Sequence, residues 1–272
     1  GLYAYRESTS DVSEYMLGGR NLHPAVGALS AGASDMSGWM LMGLPGAIYV
    51  SGFSAAWIAV GLTIGAYLNY RFVAPRLRIY TELADDSITI PDFFENRFHD
   101  KSHALRTISA LVIIVFFTVY TSSGIVAGGK LFESAFGLNY QLGLFVTAGV
   151  VLAYTVIGGF LAVSLTDFFV VGGWSGMESA IMSAPAHVNP DTGGVGPSRE
   201  QFFDMWPESM TVLGLISLLA WGLGYFGQPH IIVRFMAIRS LKDVATARAI
   251  GMSWMIVTVI GAVFVGAVGV AY

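Results

Sequence analysis

The chain has 272 residues, 54% hydrophobic and 12% charged, with 33 glycines, no cysteine and a formal charge of −4. A charge fraction near half that of soluble domains argues against a water-soluble globule. The absence of thiols excludes disulfides and thiolate metal sites, and no basic stripe offers a surface to nucleic acid.

Taken from the N-terminus, Gly1 to Arg6 reads as the tail of an apolar segment that begins upstream. Residues 1–23 are therefore the end of a preceding helix plus a cytoplasmic entry segment, and the chain reads as a fragment of a longer membrane protein. Six stretches that are nearly free of charge follow, at 24–48, 52–70, 107–129, 134–157, 209–233 and 249–271. Each is about 20 residues long, enough to cross a bilayer as a helix. They are apolar all round, whereas helices of a soluble core would carry a polar face. The fold class this predicts is an all-α integral membrane protein.

The first stretch contains Ser30 to Ala47, SAGASDMSGWMLMGLPGA, with a single charge, Asp35. Its Gly32, Gly38 and Gly43-Leu44-Pro45-Gly46 predict a broken helix. A carboxylate at the bilayer centre is costly and faces protein. No Lys or Arg lies inside any of the six stretches to neutralise it. Three states satisfy it: protonation, hydrogen bonds from hydroxyls such as Ser34 or Ser37, or an arriving small hard cation held with exposed carbonyls. These residues alone do not separate proton from Na⁺. Trp39 lies four residues after Asp35, one helical turn away.

The segment 71–106 carries Arg71, Arg76, Arg78, Arg97, Lys101 and Arg106, and is placed on the cytoplasmic side by the positive-inside rule. Arg234, Arg239, Lys242 and Arg248 mark a second cytoplasmic segment. His99 and His103 lack a third metal ligand. The stretch 107–129 carries Tyr120 before Thr121-Ser122-Ser123. The loop 171–208, rich in Gly, Pro and Ser with Arg199 as its one basic residue, is expected outside. Reaching it requires a crossing that GFLAVSLTDFFV, with Asp167, supplies only in part, about 18 Å against about 30 Å. Either 158–174 is an unusually short crossing or residues are missing at the Val170–Val171 junction. The second broken stretch is Trp221 to His230, WGLGYFGQPH, in which Trp221 and Tyr225 repeat the four-residue spacing. Two interrupted segments with spans between them point to an inverted-repeat transporter whose site lies at mid-membrane. The alternatives are kinks or close-packed small-residue faces, and belt anchors for the aromatic residues. GASDMSG is not a nucleophile elbow, and no nucleophile–base pair suggests an enzyme.

With EYMLGGRNL, SAGASDMSGWMLMGLPGA, SSGIVAGGKLFES, IGGFLAVSLTD and WGLGYFGQPHIIVRFMA in order along nearly the whole chain, the sequence resembles the sodium:solute symporter family, and within it the sodium/proline branch. The resemblance implies a leucine-transporter-like inverted-repeat helical bundle, here a fragment. Residues 24–170 would be the first repeat with its last helix truncated, 171–208 the external loop and 209–272 the start of the second repeat. It implies Na⁺-coupled uptake of L-proline by alternating access in the cytoplasmic membrane of a bacterium, with no organic cofactor. Another small organic solute, or a transporter-like sensor module, are the rival readings. It implies sodium contacts from the carbonyls of Ala33 and Met36 with Asp35 nearby, and a role for Asp167 on the sodium path. Ser37, Trp39, Tyr120, Trp221, Tyr225 and Pro229 fall on positions lining the proline pocket or its path. Arg20, in the Gly-Gly-Arg motif, falls at the cytoplasmic entry.

Overall fold

The computed structural model describes residues 11–171 and 202–269, so residues 1–10 and most of the 171–208 loop lie outside the described residues. Among the described residues the fold is all-α, with one isolated parallel bridge between Leu22 and Ile238. Helix α1 is Val12–Leu17, capped by Asp11, whose Oδ1 accepts the Glu14 amide at 2.7 Å. Then come α2, Pro24–Gly38; a π-helical turn, Trp39–Gly43; α3, Leu44–Ser51; α4, Ala56–Leu68; a second π turn, Asn69–Val73; and α5, Ala74–Leu83. Helix α6 is Ile90–Phe98, α7 Ala104–Phe136 and α8 Tyr140–Val171. Helix α9, Val212–Leu219, runs into a 3₁₀ segment, Ala220–Gly227, followed by α10, Pro229–Ala237, and α11, Leu241–Gly269.

Over their described residues the six apolar stretches are mostly helical, with residues 137–139 separating two helices and Gln228 interrupting another. Four helical runs are long and apolar enough to cross a membrane, at Leu44–Leu83, Ala104–Ser134, Tyr140–Asp167 and Leu241–Gly269, and the bent pair Val212–Gly227 and Pro229–Ala237 makes a fifth. Gly52, at φ 72°, interrupts the first of these runs. Its missing Cβ is what lets the backbone of Phe202 close in, since a Cβ there would stand 2.7 Å from the Phe202 carbonyl oxygen. Trp57 fastens the same end by donating to the Met205 carbonyl at 2.9 Å.

The two breaks differ in kind. In the first, the chain does not unwind at Gly43-Leu44-Pro45-Gly46. It widens into the π turn, where the Leu44 amide reaches back five residues to the Trp39 carbonyl. This corrects the expectation of exposed carbonyls there: one extra residue is absorbed while the backbone stays hydrogen-bonded, as in π-bulges generally. The second break is real. Gln228 is extended at φ −89°, ψ 101°, Pro229 restarts the helix, and the two halves meet at 47°.

In α8 the helical backbone is broken at Gly159, with φ 55° and ψ −149°. A Cβ there would lie 2.6 Å from the Tyr15 carbonyl oxygen, so glycine is required on both counts. The stretch 160–171 is therefore a short helical segment of its own. Val170 and Val171 are successive residues of its end.

The core gathers around α10 and α11. Helix α11 packs along α2, α3 and α4, while α10 packs on α2 and α5. Leu17, Leu44, Phe235, Met236 and Ile238 are the largest apolar side chains fully out of contact with solvent there. Helix α7 instead buries no residue of its most apolar window, as a lipid-facing helix does. Against α4 the 3₁₀ segment lies backbone to backbone. A Cβ on Gly65 would stand 2.1 Å from the Gly222 carbonyl oxygen, and one on Gly61 2.5 Å from that of Leu219. Gly65→Ala in the full-length protein should therefore destabilise by about 1–3 kcal/mol through overpacking. The readout is the thermal unfolding midpoint in detergent, and an unshifted midpoint would show that the two segments separate without cost.

Candidate functional site

Helix α2, with the π turn that continues it, and the 3₁₀ segment are joined by two contacts one turn apart. At the first, the rings of Trp39 and Trp221 stack with centroids 4.9 Å apart and planes at 28°. At the second, the Tyr225 hydroxyl donates a hydrogen bond to the Asp35 carboxylate. The shared four-residue spacing thus becomes a two-rung connection between the two broken segments. Tyr225 is almost fully buried, whereas Trp221 keeps 48% of its surface exposed. The Asn69 side chain donates to the Tyr225 carbonyl at 3.0 Å and fixes the 3₁₀ backbone from α4's side.

Asp167 forms a second centre. Its Oδ2 accepts from Ser30 Oγ at 2.9 Å and from Ser34 Oγ at 3.4 Å, and pairs with the Arg234 guanidinium at 3.3 Å. Arg234 also donates to Ser30 Oγ at 2.6 Å and to the His230 carbonyl, and its guanidinium lies over the Phe160 ring. Arg234 is 5% exposed. Read from sequence as following an apolar stretch, it is buried here because α10 continues to Ala237 and carries it against the partly buried carboxylate of Asp167. It also supplies a countercharge that inspection of the six stretches missed, though it serves Asp167 rather than Asp35.

Tyr120 joins the two centres to α7. Its hydroxyl donates to the Ser34 carbonyl at 2.9 Å, and its ring lies against His230, centroids 5.1 Å apart. Pro229 stands at the start of α10, directly after the break. Ala33 lies inside the regular turns of α2, and the Met36 carbonyl accepts the Trp39 amide. A carbonyl oxygen has two lone pairs, so the Met36 oxygen keeps one for another partner. The Ser37 side chain lies outside the described residues.

Arg20 sits at the other end of the bundle. Together with Arg78 it closes on the link between α10 and α11. Arg20 donates to the Met236 carbonyl at 3.1 Å and to that of Ser87 at 2.7 Å, and pairs with Asp86 at 2.8 Å. Burial pushes the Arg20 pKa down, and the Asp86 charge opposes that. Leu22 donates to the Ala237 carbonyl at 3.0 Å. Arg78, 6% exposed, donates to the carbonyls of Ile238 and Arg239. Four successive carbonyls, from Met236 to Arg239, are thereby held by two arginines and one amide.

Sequence reasoning brought Asp35, Trp39, Trp221, Tyr225, Tyr120 and Asp167 into view. It missed Ser30, Asn69, Arg78 and Arg234. The available signal for Arg234 was its place four residues after His230, on the helix that Pro229 starts.

The model of the sodium:solute symporter family matches residues 15–272. Over its full length the chain is 58% identical to "Osmoregulated proline transporter OpuE" of Bacillus subtilis, across 278 aligned residues that make up 56% of that protein. It is 56% identical to "Sodium/proline symporter 2" of Staphylococcus saprophyticus and 55% to "Sodium/proline symporter" of Staphylococcus aureus, in each case over the whole chain and 54% of the relative. The chain spans about half the length of the curated relatives it matches. These relatives are named as transporters, not enzymes.

Proposed function

The chain belongs to the sodium:solute symporter family, and on that premise we propose that it carries the first half of a Na⁺-coupled transporter of L-proline in a bacterial cytoplasmic membrane. The observation that carries the coupling is the pair of contacts between the broken segments. A cation at Asp35 competes with the Tyr225 hydroxyl for the carboxylate. Tyr225 lies four residues from Trp221, so what the ion does to Tyr225 is transmitted along one rigid segment to the Trp39–Trp221 stack. Proline, small and mostly apolar, lies against those rings, with Tyr120, Ser37 and Pro229 along its path. The carbonyls of Ala33 and Met36 give Na⁺ oxygen ligands on the same helix, and Asp35 sets the potential that draws it there. Asp167, already neutralised by Arg234, is a station on the ion path rather than a resting site. Na⁺ is the coupling ion and no organic cofactor takes part.

The repeats follow from the breaks. Residues 24–170 are the first inverted repeat and 209–272 the start of the second, so the π turn of the first and the break of the second occupy equivalent positions. The closed contacts of Arg20 and Arg78 are the shut cytoplasmic gate of this arrangement.

Proline binding to the purified full-length protein, with and without Na⁺, tests the reading. Trp221→Ala should weaken proline binding by about 1–3 kcal/mol if a packed ring contact is lost. Equal proline affinity in Trp221→Ala and Tyr225→Ala and in the parent would leave these rings as packing residues and sink the pocket.

A further inference from the structure

Beside Asp35 lies a small enclosed cavity, with ≈ 20 Å³ of room for the centre of a water-sized sphere. That is space for about one water or one dehydrated small ion, and far too little for an amino acid. Asp35, Asn69, Tyr70 and Tyr225 all line it. Two of these present oxygens without a partner: Asn69 Oδ1 and Tyr70 Oη are buried and make no hydrogen bond. Asn69 is 1% exposed and Tyr70 6%. Leaving two buried polar atoms unmatched on one cavity is costly unless a guest matches them.

The surroundings are built to keep them there. The Asn69 amide nitrogen is already used on the Tyr225 carbonyl, which leaves its oxygen free for the cavity. The Tyr70 hydroxyl fits only because Gly251 of α11 has no side chain: a Cβ there would stand 2.8 Å from Tyr70 Oη. The Tyr70 ring is held against Phe235, centroids 4.8 Å apart. Both residues belong to the π turn Asn69–Val73, and such turns concentrate at functional sites.

The charge balance chooses the guest. The cavity has one carboxylate, three neutral oxygens and no basic lining residue. Among the described residues Asp35 has no ion pair, and the Tyr225 hydroxyl is its one hydrogen-bond donor. A water would satisfy the two orphan oxygens and leave the charge of Asp35 to be removed by a proton. A hard monovalent cation satisfies both, because such ions take oxygen ligands of this kind. We propose that Asn69 Oδ1 and Tyr70 Oη, together with Asp35, form a binding site for one Na⁺-sized cation in the cavity that Met36 also lines. This rests on the Na⁺-coupled reading above, and adds to it two cation ligands from the α4–α5 junction.

Tyr70→Phe removes one oxygen and keeps the ring, so it is the sharpest probe. ²²Na⁺ binding to the purified full-length protein, without proline, is measured for the parent, for Tyr70→Phe and for Asn69→Ala. Proline uptake is titrated with Na⁺ in parallel. The proposal expects the half-saturating Na⁺ concentration to rise five-fold or more in Tyr70→Phe, with the uptake deficit closing as Na⁺ is raised. Asn69→Ala should shift the same way, and further, because it also frees the Tyr225 carbonyl. A parent that binds ²²Na⁺ while both variants match its titration overturns this site and assigns the cavity to a water, leaving the symport reading intact. A parent that binds no Na⁺ overturns both.

Discussion

Arg234→Ala in the full-length protein is expected to cost about 3 kcal/mol or more of stability, and Asp167→Ala added to it is expected to restore part of the loss. The reasoning is one of desolvation. Arg234 and Asp167 have side chains 6% and 20% exposed, and they meet at 3.3 Å. Removing the guanidinium leaves a partly buried carboxylate whose remaining donors are Ser30 and Ser34. Neutral hydroxyls replace a charge poorly, so the penalty of the stranded charge exceeds what the pair itself contributes. Removing both partners removes that penalty, which is why the double variant should melt above Arg234→Ala. The same change separates α10 from α2, since Arg234 Nε also holds Ser30 Oγ. The check is a double-variant cycle on thermal unfolding in detergent. Additive losses would mean that the two groups act independently and that the ion pair is incidental.

Asp35→Asn is expected to raise the half-saturating Na⁺ concentration of proline transport at least ten-fold, about 1.4 kcal/mol. Asparagine keeps a carbonyl that can accept from Tyr225, so the contact with the 3₁₀ segment survives while the charge is lost. Linkage then fixes the pattern in proline. Whatever Na⁺ contributes to proline affinity, proline contributes to Na⁺ affinity. Proline binding should weaken mainly at limiting Na⁺ and recover in part when Na⁺ is raised. Proline binding measured across a Na⁺ titration decides it: a curve that overlays the parent's makes Asp35 a hydrogen-bonded structural residue.

Much of this was legible in the residues, for identifiable reasons. Length and lack of charge specify spans because the bilayer has a fixed thickness. Gln228-Pro229 specifies a break because proline lacks the amide a helix needs. A lone aspartate in an apolar stretch points to a site because burying a charge is expensive. The same signals failed where chemistry depends on the third dimension. Arg234 was read from its linear position beyond an apolar stretch, yet α10 carries it inside to Asp167. Gly43, Pro45 and Gly46 suggested unwinding, but composition does not distinguish that from a π turn that keeps its hydrogen bonds. Asn69 and Tyr70 sit at the end of an apolar run and look like interface residues. Only the packing of α4 against the 3₁₀ segment and α11 turns them toward Asp35.

The central claim is that the full-length protein moves proline with Na⁺. Radiolabelled L-proline uptake into liposomes containing that protein tests it most directly, under an inward Na⁺ gradient and under a matched K⁺ gradient. The account predicts transient accumulation above the equilibrium level with Na⁺ alone, abolished when the gradient is dissipated. Uptake that reaches only equilibrium, or that is the same with K⁺, would contradict it.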